Sequence, residues 1–213
     1  MTKQARTRTR RRPLDRDVVL RAAVELIERD GLEALSMRRL GAALGIEAMS
    51  LYYYVENKDA LLDGIVETVV TGMDLTWAKR SGGWQERLKA GYGAYRRLAH
   101  THPAVFPLIG RPAGRTPAAM RPVEAFLSVL REAGFPPRAA LQAHRTLSSF
   151  VYGYAISELR GLALESSLHP SIAEEEWQSF PSLAEALAET NGVNHDQEFE
   201  RGLDIIISGL TPA

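Results

Sequence analysis

The stretch of residues 36–58, SMRRLGAALGIEAMSLYYYVENK, decides the fold of this chain. It contains two short helical patterns that meet at Gly45. The apolar positions of the two patterns point at each other: Leu40 and Leu44 before the turn, Ile46 and Leu51 after it. Neither helix is long enough to be stable alone. Two short helices joined by a glycine-containing turn predict a helix-turn-helix, whose second helix fits the major groove of DNA.

The side chains that these apolar contacts leave outside form a polar and aromatic surface. They are Met37, Arg38, Glu47, Ala48, Met49, Ser50, Tyr52 and Tyr53. A helical hairpin that only fills a core would not require a run of three tyrosines followed by Asn57 and Lys58. We therefore interpret this surface as a DNA-reading face rather than as the solvated side of a core hairpin.

The same stretch strongly resembles the DNA-binding domain of the tetracycline-repressor (TetR) family. The matching residues are Ser36-x-Arg38-x-Leu40-Gly41-Ala42, Leu44-Gly45-Ile46, and Leu51-Tyr52-Tyr53-Tyr54-Val55-x-Asn57-Lys58 running into Leu61-Leu62. Weaker matches continue through the C-terminal half: Trp84-Gln85, Gly110-Arg111-Pro112, Ala133-Gly134-Phe135, Phe150-x-x-Gly153 and Phe199-x-x-Gly202-Leu203-x-Ile205-Ile206-x-x-Gly209-Leu210. The resemblance implies an all-α fold, in which a three-helix, helix-turn-helix DNA-binding domain precedes a larger helical domain for effector binding and dimerisation.

Helical periodicity and turn signals divide the chain into four predicted segments. These are a disordered basic arm (1–14), the helix-turn-helix domain (15–60), a connecting helix (61–80) and the effector-binding and dimerisation domain (81–213). Helices are predicted over about 16–29, 58–73, 84–100, 117–133, 136–164 and 195–210, with a short one after Pro181. Asp15 or Asp17, Ser36 and Asn57 are the predicted N-caps. No strand-length alternation stands out.

Composition excludes several classes of protein. The 213 residues include no cysteine, which removes disulfides, thiolate nucleophiles and cysteine metal sites and suits a reducing compartment. No apolar run approaches the ~20 residues of a membrane helix, and no apolar segment follows the Arg-rich start as it would in a secretory signal. We expect a cytoplasmic protein that has no membrane partner.

Charge is unevenly distributed although the formal net charge is zero. Residues 1–60 hold 12 Lys and Arg against 9 Asp and Glu, and the excess is steepest before Val18. A run so rich in arginine and so poor in apolar residues is typical of a disordered arm. The arm either follows DNA phosphates or the minor groove, or only raises non-specific affinity; the sequence leaves both open.

Phosphate contacts give affinity and base contacts give specificity, so the two kinds of residue are predicted separately. Lys58 and Ser36 lie at helix starts, where free N–H groups favour an anion, and the Tyr52 hydroxyl can reach a phosphate. Arg38 is the long cation on the exposed face and suits a bidentate contact to guanine. The full predicted DNA-contact set is Ser36, Met37, Arg38, Ala48, Met49, Ser50, Tyr52, Tyr53 and Lys58.

Two further residues of the stretch have other predicted roles. Glu47 either caps the second helix or accepts a hydrogen bond from cytosine N4, and we favour the cap. Tyr54 is predicted to pack behind the second helix rather than to read DNA.

The register of the resemblance implies a cavity for a small-molecule effector in the C-terminal domain. The predicted effector-contact residues are Tyr95, Phe106, Arg111, Phe126, Leu141, His144 and Tyr152, with Tyr154 expected nearby. Each aromatic ring is alternatively ordinary core filler, and His144 a hydrogen-bonded core histidine. An apolar and aromatic lining suits a flat or apolar ligand that a few polar groups orient.

No metal and no cofactor is predicted. Tetracycline-binding members of the family hold a metal-chelated drug partly through a histidine, but the register puts Pro107 at that position. By the same register, Ser157 stands where those members have a glutamate near the metal, and Met73 stands where they have a second histidine. His100 and His102 are two apart on a predicted helix and point to different faces, which does not suit a metal. No complete dinucleotide loop and no nucleophile elbow is present.

The long helix and the last helix are expected to form a homodimer, because in the TetR family these helices build an intersubunit four-helix bundle. The predicted interface residues are Phe199, Leu203, Ile206, Ile207 and Leu210. The leading hypothesis is a ligand-responsive repressor, not an enzyme, that binds a pseudo-palindromic double-stranded DNA operator as a dimer. The alternatives are an activator, an effector-independent DNA-binding protein, and a helical enzyme with a helix-turn-helix-like corner.

Overall fold

A computed structural model of the 213-residue chain describes residues 14–111, 116–162, 177–189 and 194–212. The α-helices are α1 (Arg16–Asp30), α2 (Met37–Leu44), α3 (Lys58–Thr71), α4 (Trp84–Thr101), α5 (Arg121–Glu132), α6 (Pro137–Leu159), α7 (Pro181–Ala188) and α8 (His195–Ser208). Short 3₁₀ helices cover Leu32–Ala34, Ala48–Tyr53, Thr76–Lys79, Phe106–Gly110 and Ala118–Met120. The described residues form helices and no strands, which confirms the all-α fold class. Residues 1–13 of the arm predicted at 1–14 lie outside these residues.

Side-chain caps start the N-terminal helices where the sequence predicts them. The Asp15 carboxylate accepts a hydrogen bond from the Val18 N–H at 2.8 Å and caps α1. Ser36 Oγ caps α2 at 3.2 Å, and Asn57 Oδ1 caps α3 at 2.8 Å. Each cap satisfies a backbone N–H that has no partner within its helix. These bonds fix the first residue of α2 and of α3, and therefore the position of Lys58.

A continuous apolar core runs through the described helices. In the N-terminal part, α1 packs on α2 and α3. In the C-terminal part, α4 packs on α5 and α6, and α8 lies against α4 and α6. Helix α3 belongs to both parts, because it also contacts α5 and the turns at 106–110 and 118–120. The two parts therefore share one helix rather than meeting only through a linker.

Several predicted boundaries differ from the structure. The connecting helix ends at Thr71, and a separate turn at Thr76–Lys79 follows it. The predicted 117–133 helix is a turn at Ala118–Met120 followed by α5. Helix α6 ends at Leu159, five residues before the predicted end. Gly161 adopts φ +60° there, and the Leu162 N–H bonds back to the Ser157 carbonyl, as in a glycine-terminated helix.

Among the residues that the structure describes, none of the helices combines the length and the apolarity that a membrane span requires.

Candidate functional site

The helix at Ala48–Tyr53 is held against α2 by two glycines. Gly45 ends α2 with φ +70°, a left-handed conformation that glycine adopts without a steric penalty. A Cβ atom on Gly41 would lie 2.9 Å from the Ile46 carbonyl oxygen and 3.2 Å from the Ala48 nitrogen. The close approach of the two backbones therefore requires glycine at position 41. Leu40 and Leu51 close the contact from either side and are fully buried.

The outward side of this pair carries an unusual amount of exposed apolar and aromatic surface. Met49 is 74% exposed, Tyr53 87% and Tyr52 45%. Tyr53 packs edge-on against Tyr54, with 5.1 Å between ring centroids, and Tyr54 is half-buried against the core as predicted. Ser50 is exposed beside them, whereas Ala48 is half-buried. A contiguous exposed patch of this kind marks a binding surface.

Two neighbouring arginines on α2 have different surroundings. Arg39 makes an ion pair with Asp30 at 2.6 Å, and Asp30 also pairs with Arg29. The hydrogen bond from Arg29 and the two guanidinium charges lower the pKa of Asp30. Arg38 is exposed and has no ion-pair partner among the described residues. Arg38 is therefore available to a ligand outside the chain.

The remaining predicted DNA-contact residues frame this patch. Ser36 is exposed, with its Oγ engaged as the α2 cap, and Met37 is half-buried. Lys58 is exposed as the first residue of α3. Lys58 thus adds a cation and the start of α3 to the surface that contains the exposed aromatic patch.

Glu47 differs from the favoured prediction. It occupies the N-cap position of the 48–53 helix, but its side chain makes no capping hydrogen bond. Only its backbone carbonyl is used, accepting from the Ser50 N–H at 3.0 Å. The carboxylate is exposed beside the aromatic patch, so the capping interpretation is wrong for the side chain.

A cavity of about 250 Å³ lies between α3, α4, α5 and α6. The turn at 106–110 closes one side, and the cavity is partly open to solvent. Its lining is mainly apolar and is formed by Val66, Val70, Met73, Tyr95, Leu98, Leu108, Ile109, Gly110, Arg111, Ala119, Pro122, Val123, Phe126, His144, Ser148, Ser149 and Tyr152.

The structure brings most of the predicted effector-contact residues together. Five of them line the cavity: Tyr95, Arg111, Phe126, His144 and Tyr152. Phe106 is fully buried behind the wall, where its ring centroid is 5.6 Å from those of Tyr95 and Tyr152. Leu141 lies on the outer face of α6 and is 36% exposed. Tyr154 faces α8 instead of the cavity, with its ring 5.5 Å from that of Phe199.

Sequence reasoning missed the contribution of α3 to the wall. Val66 and Val70 line the cavity from that helix, and Met73 lines it just beyond the helix end at Thr71. The available signal was the width of its apolar surface, since α3 also buries Leu61, Leu62, Ile65 and Val69. A helix that is apolar on more than one side must be covered by two neighbours.

Stacked rings build the floor of the cavity. The Phe126 ring lies 4.2 Å from Tyr92 and 5.3 Å from His144, both nearly parallel to it. The Tyr92 hydroxyl is 3.0 Å from His144 Nδ1, and burial raises the pKa of that phenol. The Tyr92 hydroxyl stays protonated, and the bond fixes the orientation of the imidazole ring. The floor is therefore a rigid flat surface, suited to a flat apolar group.

Two polar bonds connect the turn at 106–110 to its neighbours. The Tyr152 hydroxyl donates to the Pro107 carbonyl at 3.1 Å. Arg111, which follows the turn, forms an ion pair with Asp59 in the first turn of α3 at 3.2 Å. A change in the cavity wall can thus reach the beginning of α3.

A third connection runs from α1 to the segment after α4. The Glu28 carboxylate accepts hydrogen bonds from the backbone N–H groups of Ala104 and Val105, both at 3.1 Å. His102 Nδ1 lies 3.8 Å from the same carboxylate. Because Glu28 is on the last turns of α1, this contact ties the N-terminal helices to the C-terminal part.

An ionic cluster centred on the buried Arg96 joins α4, α6 and α8. Arg96 pairs with Glu158 through two hydrogen bonds and with Asp196 at 2.7 Å. Its guanidinium lies 4.8 Å from the centre of the Phe199 ring. Burial alone would raise the pKa of Glu158, but the hydrogen bonds and charge of Arg96 outweigh it and leave that pKa lowered. Burial raises the pKa of the adjacent Tyr154 to about 12.

The positions that correspond to metal-binding residues of tetracycline-binding relatives have other roles here. Met73 is an apolar part of the cavity wall. Pro107 contributes a carbonyl to Tyr152, and the Ser157 carbonyl accepts a hydrogen bond from the Leu162 N–H at the end of α6. Within the described ranges, no three His, Cys, Asp or Glu side chains converge as a metal site would require.

The structure corrects the predicted dimer surface. Phe199, Leu203 and Ile207 are at most 3% exposed within a single chain, because α8 packs them against α4 and α6. They belong to the chain's own core. Ile206 and Leu210 are half-buried. The large exposed apolar side chain of α8 is Ile205, which is 65% exposed.

The fold and these surfaces define a class of protein, the helix-turn-helix regulators with a C-terminal ligand-binding domain. The family profile "Bacterial regulatory proteins, tetR family" matches residues 19–65, and "Tetracyclin repressor-like, C-terminal domain" matches residues 78–213. The chain belongs to the TetR family of bacterial transcriptional regulators.

Individual relatives agree over nearly the full length. The class D tetracycline repressor protein of Escherichia coli is 32% identical over 200 residues, covering 92% of this chain and 89% of the relative. The repressor DrrR1 of Streptomyces coeruleorubidus is 30% identical, covering 91% and 76%. The crystal structure of the TetR-family protein ActR of Streptomyces coelicolor in complex with actinorhodin superposes with a TM-score of 0.80 at 29% identity. It covers 93% of this chain and 97% of ActR.

Proposed function

We propose that the protein is a cytoplasmic, ligand-responsive transcriptional repressor. It binds a pseudo-palindromic DNA operator as a homodimer, and a small apolar or aromatic molecule releases it. The observation that carries this proposal is the course of α3. That helix begins with Lys58 beside the exposed aromatic patch and places Val66 and Val70 in the wall of the cavity. One helix therefore touches both sites, and a shift of this helix would couple them.

DNA recognition is assigned to the outward face of α2 and the 48–53 helix. In this proposal Arg38 reads a guanine, while Met37, Ala48 and Met49 contact thymine methyl groups. Ser36 and Lys58 bind phosphates at helix starts, where free N–H groups favour an anion, and Tyr52 binds a phosphate through its hydroxyl. Ser50 and Tyr53 complete the surface: both are exposed beside Met49. The exposed Glu47 carboxylate suits an acceptor for cytosine N4.

Dimerisation is assigned to the outer faces of α6 and α8. Leu141 and Ile205 are exposed on these faces, with Ile206 and Leu210 half-buried beside them. Gly153 lies exposed in the middle of α6, and a Cβ there would meet nothing within 4 Å. An exposed glycine inside a helix costs roughly 0.5–1 kcal/mol, and close approach of a second backbone would offset that cost. The helix-turn-helix domains of the two protomers, about 34–36 Å apart, would then reach successive major grooves.

The effector is proposed to bind without a divalent metal. The apolar wall and the stacked floor suit a planar ring system, whereas Met73 and Pro107 offer no metal ligand. The co-crystal structure of ActR with actinorhodin supports the use of this kind of domain for an organic ligand.

The experiment that tests the proposal begins with selection of an operator from random duplex DNA by the purified protein. Aromatic compounds of one to three rings are then screened for thermal stabilisation of the protein, which follows from binding to the folded state alone. Compounds that stabilise should also release the selected operator, equally well with and without a chelator. Release that needs magnesium would contradict the metal-free effector. Operator binding that no stabilising compound weakens would support an effector-independent DNA-binding protein.

A further inference from the structure

The cavity wall carries one fixed charge in the part of the chain that the structure describes. Arg111 is the only Lys or Arg among those lining residues, and no Asp or Glu lines the cavity. The other polar groups of the wall are neutral hydroxyls and the His144 imidazole. Arg111 is therefore the group of this wall that an anionic ligand would bind, and no lining carboxylate would repel that ligand.

Arg111 already has a partner, but a weak one. Its guanidinium lies 3.2 Å from the Asp59 carboxylate, and the two side chains are 34% and 83% exposed. Ion pairs that are this exposed contribute little, because water and salt screen them. An anion held inside the cavity is screened less than Asp59, so it competes well for the same guanidinium.

Asp59 also occupies a position that matters for DNA. It is adjacent to Lys58 in the first turn of α3, and both side chains are exposed. While Arg111 is paired with it, the charge of Asp59 is partly neutralised. Without that partner, its carboxylate would repel a phosphate that approaches Lys58.

We propose that the effector is an aromatic anion, a planar ring system bearing a carboxylate or phenolate, and that Arg111 senses it by leaving Asp59. This inference rests on the proposed function, and it adds the charge of the ligand and the residue that reads it. The ring system stacks on Phe126, and the anionic oxygen binds the guanidinium. Loss of the Arg111–Asp59 pair then lowers DNA affinity through the exposed charge beside Lys58.

Cavity size sets the scale of a suitable probe. An engineered cavity of about 150 Å³ holds benzene, whereas the present cavity measures about 250 Å³. Two fused rings with one small substituent match that volume. We therefore choose 2-naphthoate and its neutral isostere 2-naphthamide, which differ in charge but hardly in shape.

The test measures the dissociation constants of both probes by calorimetry, for the wild type and for Arg111→Gln, Asp59→Asn and Arg121→Gln. Arg121 is an exposed arginine at the start of α5 and serves as the matched control. We expect the wild type and Arg121→Gln to bind naphthoate at least about tenfold more tightly than naphthamide, which corresponds to ~1.4 kcal/mol. Arg111→Gln should bind the two probes equally. Asp59→Asn should keep the preference, since it removes only the competitor.

Operator release in the same solutions separates the two proposals. Naphthoate should weaken DNA binding by the wild type more than naphthamide does, and should lose most of this effect in Asp59→Asn. Equal binding of the two probes by the wild type, an undiminished preference in Arg111→Gln, or binding of neither probe would overturn the inference. If naphthamide releases the operator as well as naphthoate, the inference fails and the proposed function stands. Failure of the wild type to bind any selected operator would remove the proposed function itself.

Discussion

At the scale of single residues, neighbours in sequence differ in what they can bind. Arg38 and Arg39 are adjacent on α2, but Asp30 holds Arg39 at 2.6 Å while Arg38 is exposed. Glu47 and Ser36 both occupy N-cap positions, but only Ser36 makes a capping bond. Contacts within the chain thus identify the side chains that remain available to DNA.

Replacing Arg38 with alanine should change the specificity of DNA binding. Loss of a bidentate guanine contact should cost ~1–3 kcal/mol at one base pair per half-site and relax the preference there. Affinities for operators mutated at each position measure this, with Arg39→Ala as the control because Asp30 occupies that guanidinium. A loss of equal size on every DNA sequence would identify Arg38 as a phosphate contact.

Replacing Lys58 with alanine should weaken binding to all DNA sequences alike, because phosphates carry no base information. The slope of log K against log salt should become shallower by roughly one unit. Fluorescence polarisation at several salt concentrations measures both effects. Lys79→Ala, an exposed lysine outside the helix-turn-helix, is the control. An unchanged slope together with unchanged affinity would place Lys58 outside the interface.

At the scale of helices, polar contacts connect elements that the apolar core only packs together. Glu28 ties α1 to the segment after α4, and Arg111 ties that segment to α3. Arg96, Glu158 and Asp196 join α4, α6 and α8. Such contacts have defined geometry, so they transmit a displacement more specifically than apolar packing does.

The Arg96–Glu158 pair should make stability depend on pH in the acidic range. The pKa of Glu158 is lowered in the folded protein, so its contribution is complete above the unfolded-state value of about 4.3. That contribution is lost as the pH falls through the folded-state pKa. Glu158→Gln should therefore lower stability by about 2 kcal/mol at pH 7 and flatten the fall in Tm below about pH 4.5.

Thermal unfolding between pH 7 and pH 3 measures this difference. Glu132→Gln is the matched control, because Glu132 pairs with Arg87 but its side chain is 59% exposed. That control should change Tm little at any pH. A Glu158→Gln protein as stable as the wild type at pH 7 would show that the buried pair contributes no net stability.

At the scale of the whole molecule, the described part of one chain contains one helix-turn-helix. The proposed pseudo-palindromic operator requires two helix-turn-helix domains in fixed geometry, so in this proposal the surface of α6 and α8 matters as much as the helix-turn-helix. Within a single chain, the core of α8 is already complete: Phe199, Leu203 and Ile207 are buried. Only the exposed side of α8, which carries Ile205, is left to contact a second copy of the chain.

Changing Ile205 to glutamate should therefore separate the dimer without unfolding the chain. Ile205 is 65% exposed in one protomer, so the introduced carboxylate would destabilise only a contact between protomers. Sedimentation should show folded monomers, and operator affinity should fall about a hundredfold or more through the loss of the second half-site. Ile207→Glu is the contrasting variant and should unfold, because Ile207 is 3% exposed. A well-folded Ile205→Glu dimer would disprove this placement.

The sequence by itself determined the local features of this protein. The caps at Asp15, Ser36 and Asn57, the turn at Gly45 and the exposed tyrosines follow from contacts within a few residues, and short-range patterns predict such contacts well. The all-α fold was predictable for the same reason, since helical periodicity repeats along the chain.

Only the tertiary structure decided which apolar residues are core, wall or outer surface. Phe199 and Ile205 lie on the same helix and are both apolar, but one is buried against α4 and α6 and the other is exposed. The sequence patterns also did not predict that α3 lines the cavity or that Asp59 is the partner of Arg111. Asp59 and Arg111 are 52 residues apart, and their contact depends on how α3 packs against the turn at 106–110. Periodicity identifies an apolar face, but the neighbour that covers it depends on long-range packing that one sequence does not encode locally.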